Sequence, residues 1–274
     1  MKVIASAGRE DVAMVYVVDF GDGKLVECVE SVQPPIPRAD KWVLLVSTMF
    51  GCPIGCSMCD AGGHYQGKPT KDQIFSQIDF LVDKRYPDRT VPARQFKIQF
   101  ARMGEPSLNP HVLDVLEELP RRYNAPGLMP SLSSVAPKGS SEFFERLLEI
   151  KKRHYAGGHF QFQFSLHTTD GSLRDKIIPV KKWSFAEMSA YGERFYAPGD
   201  RKITLNFALA QDMLGILRLG PGHVRDWVRT RQSRRSGRGC RGCASKRRRP
   251  RDPGAGGLPC CPGRWALPTG CRWS

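Results

Sequence analysis

From residue 43 to residue 210 the chain alternates short apolar runs with stretches whose apolar residues recur on one side of a helix. Strands are predicted over 43–50, 96–100, 128–133, 160–166 and 202–210. Helices are predicted from Thr70 onward, over 110–122, over 142–154 and over 183–195. Thr70 suits an N-cap and Gln73 stands where a capping box closes. Strand alternating with helix implies βαβ units and a parallel sheet, so the fold class is α/β. In such folds functional side chains gather at the C-terminal ends of the strands. Ahead of this region, 12–20 and 24–32 read as a β-hairpin closed by Gly21-Asp22-Gly23 and ended by Pro34, Pro35 and Pro37.

The rhythm stops after Met213, and charge changes with it. The stretch from Leu214 to Ser274 holds 15 of the 42 basic side chains and 2 of the 27 acidic ones, whereas residues 1–213 are nearly balanced. It also holds 11 Gly, 6 Pro and five of the nine cysteines, a composition that cannot bury a core. A basic arm is one reading; the one preferred is an out-of-frame translation of a GC-rich gene. The expected divisions are a hairpin extension over 1–40, a core over 41–213 and a disordered basic tail over 214–274. No apolar run approaches the roughly 20 residues that cross a bilayer, and the first residues are too weakly apolar for a signal peptide. A cytoplasmic location is expected, with no membrane partner.

The first apolar run of the core opens into Phe50-Gly51-Cys52-Pro53-Ile54-Gly55-Cys56-Ser57-Met58-Cys59. Gly51, Pro53 and Gly55 let the chain curl so that three thiolates can point at one centre. Three thiolates hold three corners of a 4Fe–4S cube and leave one iron open to a small molecule. A zinc site with His64 as fourth ligand, or three unrelated thiols, are the alternatives. Clustered cysteines in an intracellular chain more often mean metal or catalysis.

This spacing resembles the signature of the radical S-adenosylmethionine (SAM) enzymes. The order of motifs from about Asp22 to Ala210 is similar to that of the members that methylate C2 of an adenine in ribosomal RNA. Met103-Gly104-Glu105-Pro106 looks like their Gly-Glu-Pro loop, Ser131 to Pro137 like their serine-rich strand end, and Ser165-Leu166-His167 like their Ser-Leu-His element. The resemblance implies a partial (β/α) barrel with five of about six strands, a 4Fe–4S cluster on Cys52, Cys56 and Cys59, and SAM as cofactor. It implies that Gly104 and Glu105 hold the SAM amino group and that Ser133 meets the carboxylate. Ser165 and His167 would meet the ribose or adenine, and Met58, in place of an aromatic residue, the adenine. Glu30 in Glu30-Ser31-Val32 would be the proton acceptor. A small reductase such as flavodoxin or ferredoxin would supply the electron that splits SAM to a 5′-deoxyadenosyl radical. RNA is one substrate to consider, but Leu45 occupies the position of a methyl-carrying cysteine, and the second such cysteine and the sixth-strand Asn are not found. The chain is expected to be a divergent relative; an inactive fragment, or a zinc or RNA-binding module, are the alternatives.

Overall fold

Antiparallel strands at the N-terminus and parallel strands after them form one sheet in the computed structural model, which describes residues 1–207. β1 (Lys2–Arg9), β2 (Ala13–Asp19) and β3 (Leu25–Ser31) make an antiparallel meander. Gly21, Asp22 and Gly23 all take positive φ in the β2–β3 turn, as the sequence requires. β3 then pairs antiparallel with β4 (Trp42–Val46), matching Val29 with Leu45 and Ser31 with Val43. The hairpin is therefore hydrogen-bonded into the main sheet. The strand β1 ahead of it was not foreseen, because KVIASAGR lacks a buried alternation and is exposed at every residue but Val3.

After β4 come a small hairpin, β5 (Phe50–Cys52) with β6 (Gly63–Gly67), and then helix α1 (Lys71–Asp83). The core continues through β7 (Phe96–Phe100), α2 (His111–Arg122), β8 (Leu128–Ser134), α3 (Ser141–His154) and β9 (Gln161–Ser165). It ends with α4 (Gly171–Ile177), α5 (Phe185–Phe195) and β10 (Thr204–Asn206). β4, β7, β8, β9 and β10 lie side by side and parallel. The α/β class and five parallel strands follow the sequence reading. The short α4, capped by Asp170, was missed. The fifth strand is shorter than expected, and 208–210 and the 214–274 tail lie outside the described residues.

Burial fixes which face of the sheet is the core. Trp42, Leu44 and Val46, Phe96, Ile98 and Phe100, and Leu132, Phe162 and Phe164 are all at least 97% buried. They pack with the apolar stripes of the helices in one cluster. The alternate residues of the same strands face the concave side. Thr70 and Gln73 form the expected capping box, and Ser184 with Glu187 forms a second one at α5. No helix among the described residues is long and apolar enough to cross a membrane.

Candidate functional site

The strand ends of the parallel sheet open into a cavity of about 510 Å³. Its lining includes Cys52, Cys56, Met58 and Cys59 from the loop after β4, Gly104 and Glu105 after β7, Ser133 on β8, and Ser165 and His167 at β9. All the site residues read from the sequence except Glu30 meet there.

The cysteine loop is shaped by its glycines and seated on apolar residues. Gly51 has φ +73, and a Cβ there would lie 2.6 Å from the His64 carbonyl oxygen, so only glycine lets β5 close on β6. The Ser57 amide donates to the Ile177 carbonyl, tying the loop to α4. Cys52 packs with Ile54, Val135, Ile177 and Ile178, and Cys56 and Met58 flank that cluster. Burial raises the Cys52 thiol above its ordinary range and pushes Cys56 up to about 12, with Cys52, Cys59 and Glu105 adding to the latter.

Glu105 is wholly buried and well supplied with donors. Its Oε1 accepts from the Ser107 amide (3.1 Å), the Ser107 hydroxyl (2.6 Å) and the Ser134 hydroxyl, and its Oε2 accepts from the Val135 amide (2.9 Å). Burial raises its carboxyl, and those four bonds oppose the shift. Gly104 earns its place by packing: with φ +99, a Cβ would stand 2.5 Å from that of Met49. Close approach to a ligand is therefore not needed to explain this glycine. Ser133 Oγ is buried without a hydrogen-bond partner, although its residue lines the cavity. His167 takes φ +63, its amide donates to the Asn206 carbonyl, and burial followed by Arg174 lowers its imidazole.

Glu30 stands apart from the other site residues read from the sequence. It lies 2% exposed on the opposite face of β3, where Arg85 Nε donates at 2.7 Å and Trp42 Nε1 at 3.2 Å to its Oε1. The carboxylate that β3 does turn toward the cavity is Glu27, ion-paired with Arg102 on the same lining. Residues 27 and 30 differ by an odd number and so face opposite ways on a strand. That parity, together with buried Val26 and Cys28 on Glu30's side, was the signal available in the sequence. Asp60 and Arg102 also line the cavity and carried no motif.

As the side chains stand, no three His, Cys, Asp or Glu among the described residues form a grouping that could hold a metal ion. Gripping one requires the three thiols to turn toward a common centre. The donor set still suits an iron–sulfur cube: three sulfurs border one space, Cys52 and Cys56 sit against apolar residues, and Ser133, whose hydroxyl has no hydrogen-bond partner, lines the same space. His64, offered as a fourth zinc ligand, sits exposed on β6 and is not among the lining residues.

The chain is similar to known proteins over most of its length. A "Probable dual-specificity RNA methyltransferase RlmN" of Chlorobium phaeobacteroides is 29% identical over 231 residues, 76% of this chain and 57% of that protein. One of the same description from Thermus thermophilus is 28% identical over 206 residues, 73% of this chain and 53% of that one. The chain is thus similar in sequence to proteins described as RlmN RNA methyltransferases. It spans little more than half the length of these curated relatives. A solved radical SAM methyltransferase of Sphaerobacter thermophilus shares the fold, with a TM-score of 0.61 at 18% identity over 77% of this chain and 59% of that one. No family model matches the chain.

Proposed function

We propose that this chain is the core of a radical SAM enzyme, methyltransferase-like, holding a 4Fe–4S cluster on Cys52, Cys56 and Cys59 and SAM beside it. The observation that carries the reading is a shared opening: the cysteine loop and the ends of three parallel strands line the same cavity. When bound, the cluster and SAM supply an electron and the group from which a carbon radical forms. The chain's residues supply place and shelter. Ile54, Val135, Ile177 and Ile178 shelter Cys52 and flank Cys56, while Cys59 is exposed. Glu105 Oε2 accepts a single bond, leaving a lone pair for an ammonium group. The Ser133 hydroxyl is free to donate to a carboxylate. Ser165, His167 and Met58 border the side where a nucleoside would lie. Glu27 and Asp60, unlike Glu30, line the cavity in which a reacting molecule would lie.

The substrate is proposed only by class. The names of the relatives point to RNA, while Leu45 lacks the nucleophile of a methyl-carrying thiol. A small reductase such as flavodoxin or ferredoxin is the proposed electron donor, and the cytoplasm the proposed location. The test is anaerobic reconstitution with iron and sulfide. The expected result is a brown protein whose colour and iron content are lost when Cys52, Cys56 or Cys59 is replaced by Ser. Protein with neither iron nor sulfide bound, or with iron that survives those replacements, would sink the proposal.

A further inference from the structure

The cavity has a second pole, away from the side assigned to SAM. Ser133, Ser165 and His167 belong to β8 and β9. The sheet order β3-β4-β7-β8 puts Glu27, on β3, three strands from Ser133, roughly 14 Å along the sheet. Arg102, just past the end of β7, reaches back to pair with Glu27, so its guanidinium lies on the β3 side. Arg102 is the only lysine or arginine among the lining residues, where Glu27, Asp60 and Glu105 are the acids. Its side chain is 40% exposed, and no group but Glu27 pairs with it among the described residues. A guanidinium carries five N–H donors in a fixed fork, so one carboxylate partner leaves most of them unused.

A buried polar clamp holds this pair. Ser47 Oγ donates to the Glu27 carbonyl at 2.6 Å and accepts from the Met103 amide at 3.2 Å, and the Arg102 amide donates to the Val46 carbonyl. Gln77 of α1 grips Ser47 in turn: its Oε1 accepts from the Ser47 amide at 2.9 Å and its Nε2 donates to the Ser47 carbonyl at 3.1 Å. Ser47 and Gln77 are fully buried. The backbones that carry Glu27 and Arg102 are therefore fixed to each other and to α1 before any ligand arrives, which keeps the ordering cost of binding low. We propose that Arg102 recognises the substrate by binding one anionic oxygen group on it, a phosphate or a carboxylate, while Glu27 holds the guanidinium in place. The planar fork of an arginine matches either oxyanion. One arginine among three acids suits a single anionic group and not a run of phosphates. That the oxyanion belongs to a reacting substrate rests on the function proposed above; that Arg102 binds an oxyanion in this cavity does not.

The chain's other arginines also react and attract anions, so the test is read residue by residue. The full chain is treated with an arginine-selective dicarbonyl reagent at constant ionic strength, in chloride alone, with inorganic phosphate, with acetate and, after reconstitution, with SAM. Adducts are mapped by peptide mass spectrometry. The expected result is about threefold protection of Arg102 by phosphate or by acetate, the effect of a probe at twice its dissociation constant, and none by SAM. Whichever probe protects identifies the oxyanion as phosphate or carboxylate. Protection by neither shows that Arg102 only balances Glu27, and overturns the proposal. Protection by SAM equal to that by the probes assigns Arg102 to the cofactor and overturns it as well. Because the phosphate and acetate arms need no iron, their failure and failure to bind iron are separate results.

Discussion

Glu105 shows how little freedom one buried carboxylate leaves its neighbours. Its four hydrogen bonds are all accepted, and a carboxylate only accepts. Glu105→Gln keeps the shape but turns an NH₂ toward donors, so a stability loss of about 1–3 kcal/mol is expected. A urea midpoint unchanged by that replacement would mean that Glu105 is held by something other than this network. Lys97 makes a second prediction of this kind, from pH. Burial, then Lys41 and Arg201, lower its ammonium from 10.5 to about 8 in the folded chain. Between those values the unfolded chain holds the extra proton, so stability rises with pH across the window. Below about 8 both states are charged and the cost of burying the cation is fully present. Lys97→Met should flatten this part of the profile in urea titrations at pH 7.5 and 9.5, and an equal slope in the variant would assign the effect elsewhere. Neither residue's surroundings could be read in full from the chain alone: Glu105 sits in a recognisable motif with Ser107 two positions on, but its other two donors are Ser134 and Val135, about 30 positions away. Lys97 carried no motif at all, because its significance lies in the absence of an acid on strands distant in sequence.

At the scale of elements the sequence was more telling, since capping and apolar periodicity are local. Thr70 and Gln73 announced the start of α1 because the bonds that cap a helix join residues three apart. The end of α2 is the opposite case. Pro120 lies inside the helix and has no amide for the carbonyl of Leu116, four residues back. That carbonyl accepts from the Tyr155 hydroxyl at 2.5 Å instead, which ties α2 to the end of α3. The chain does not advertise this pairing, for the two residues are separated by β8 and all of α3. Tyr155→Phe should cost about 1–2 kcal/mol by stranding a buried carbonyl. Pro120→Ala in the same background should recover part of the loss by restoring the helical bond. A double-mutant cycle by chemical denaturation measures the coupling, and strictly additive effects would show that the hydroxyl does not stand in for the missing amide. β1 and α4 escaped notice for a related reason: one is exposed at nearly every position and the other is a seven-residue helix held by its Asp170 cap.

Taken as a whole, the molecule joins two kinds of sheet along one line, the β3–β4 pairing, and only three residue pairs make that joint. Glu30 sits in it. Its carboxylate takes Arg85 from the end of α1 through Nε at 2.7 Å and Nη2 at 3.1 Å, Arg38 from the connection between the strands at 3.3 Å, and the Trp42 indole from β4. One buried anion thus fastens the meander, the connection and the first helix of the parallel part. The segment Glu30-Ser31-Val32 offered Glu30 as a proton acceptor by resemblance alone. A resemblance in sequence says nothing about which side of a strand a residue faces, and here Arg85, Arg38 and Trp42, brought from elsewhere in the chain, surround the carboxylate. Removing the buried carboxylate strips the part-buried Arg85 and Arg38 of a shared partner, although Arg85 keeps Glu10, and strands the Trp42 N–H, so Glu30→Ala should destabilise the chain by about 1–3 kcal/mol. Glu30→Gln, which keeps an acceptor for Trp42, should cost less. Iron bound per folded chain should be unchanged in both, because the cysteine loop is anchored to α4 and the strand ends rather than to this joint. A variant with wild-type denaturation and abolished turnover would return Glu30 to the chemistry. Lost stability with intact iron loading would confirm that it is the fastening between the two halves of the sheet.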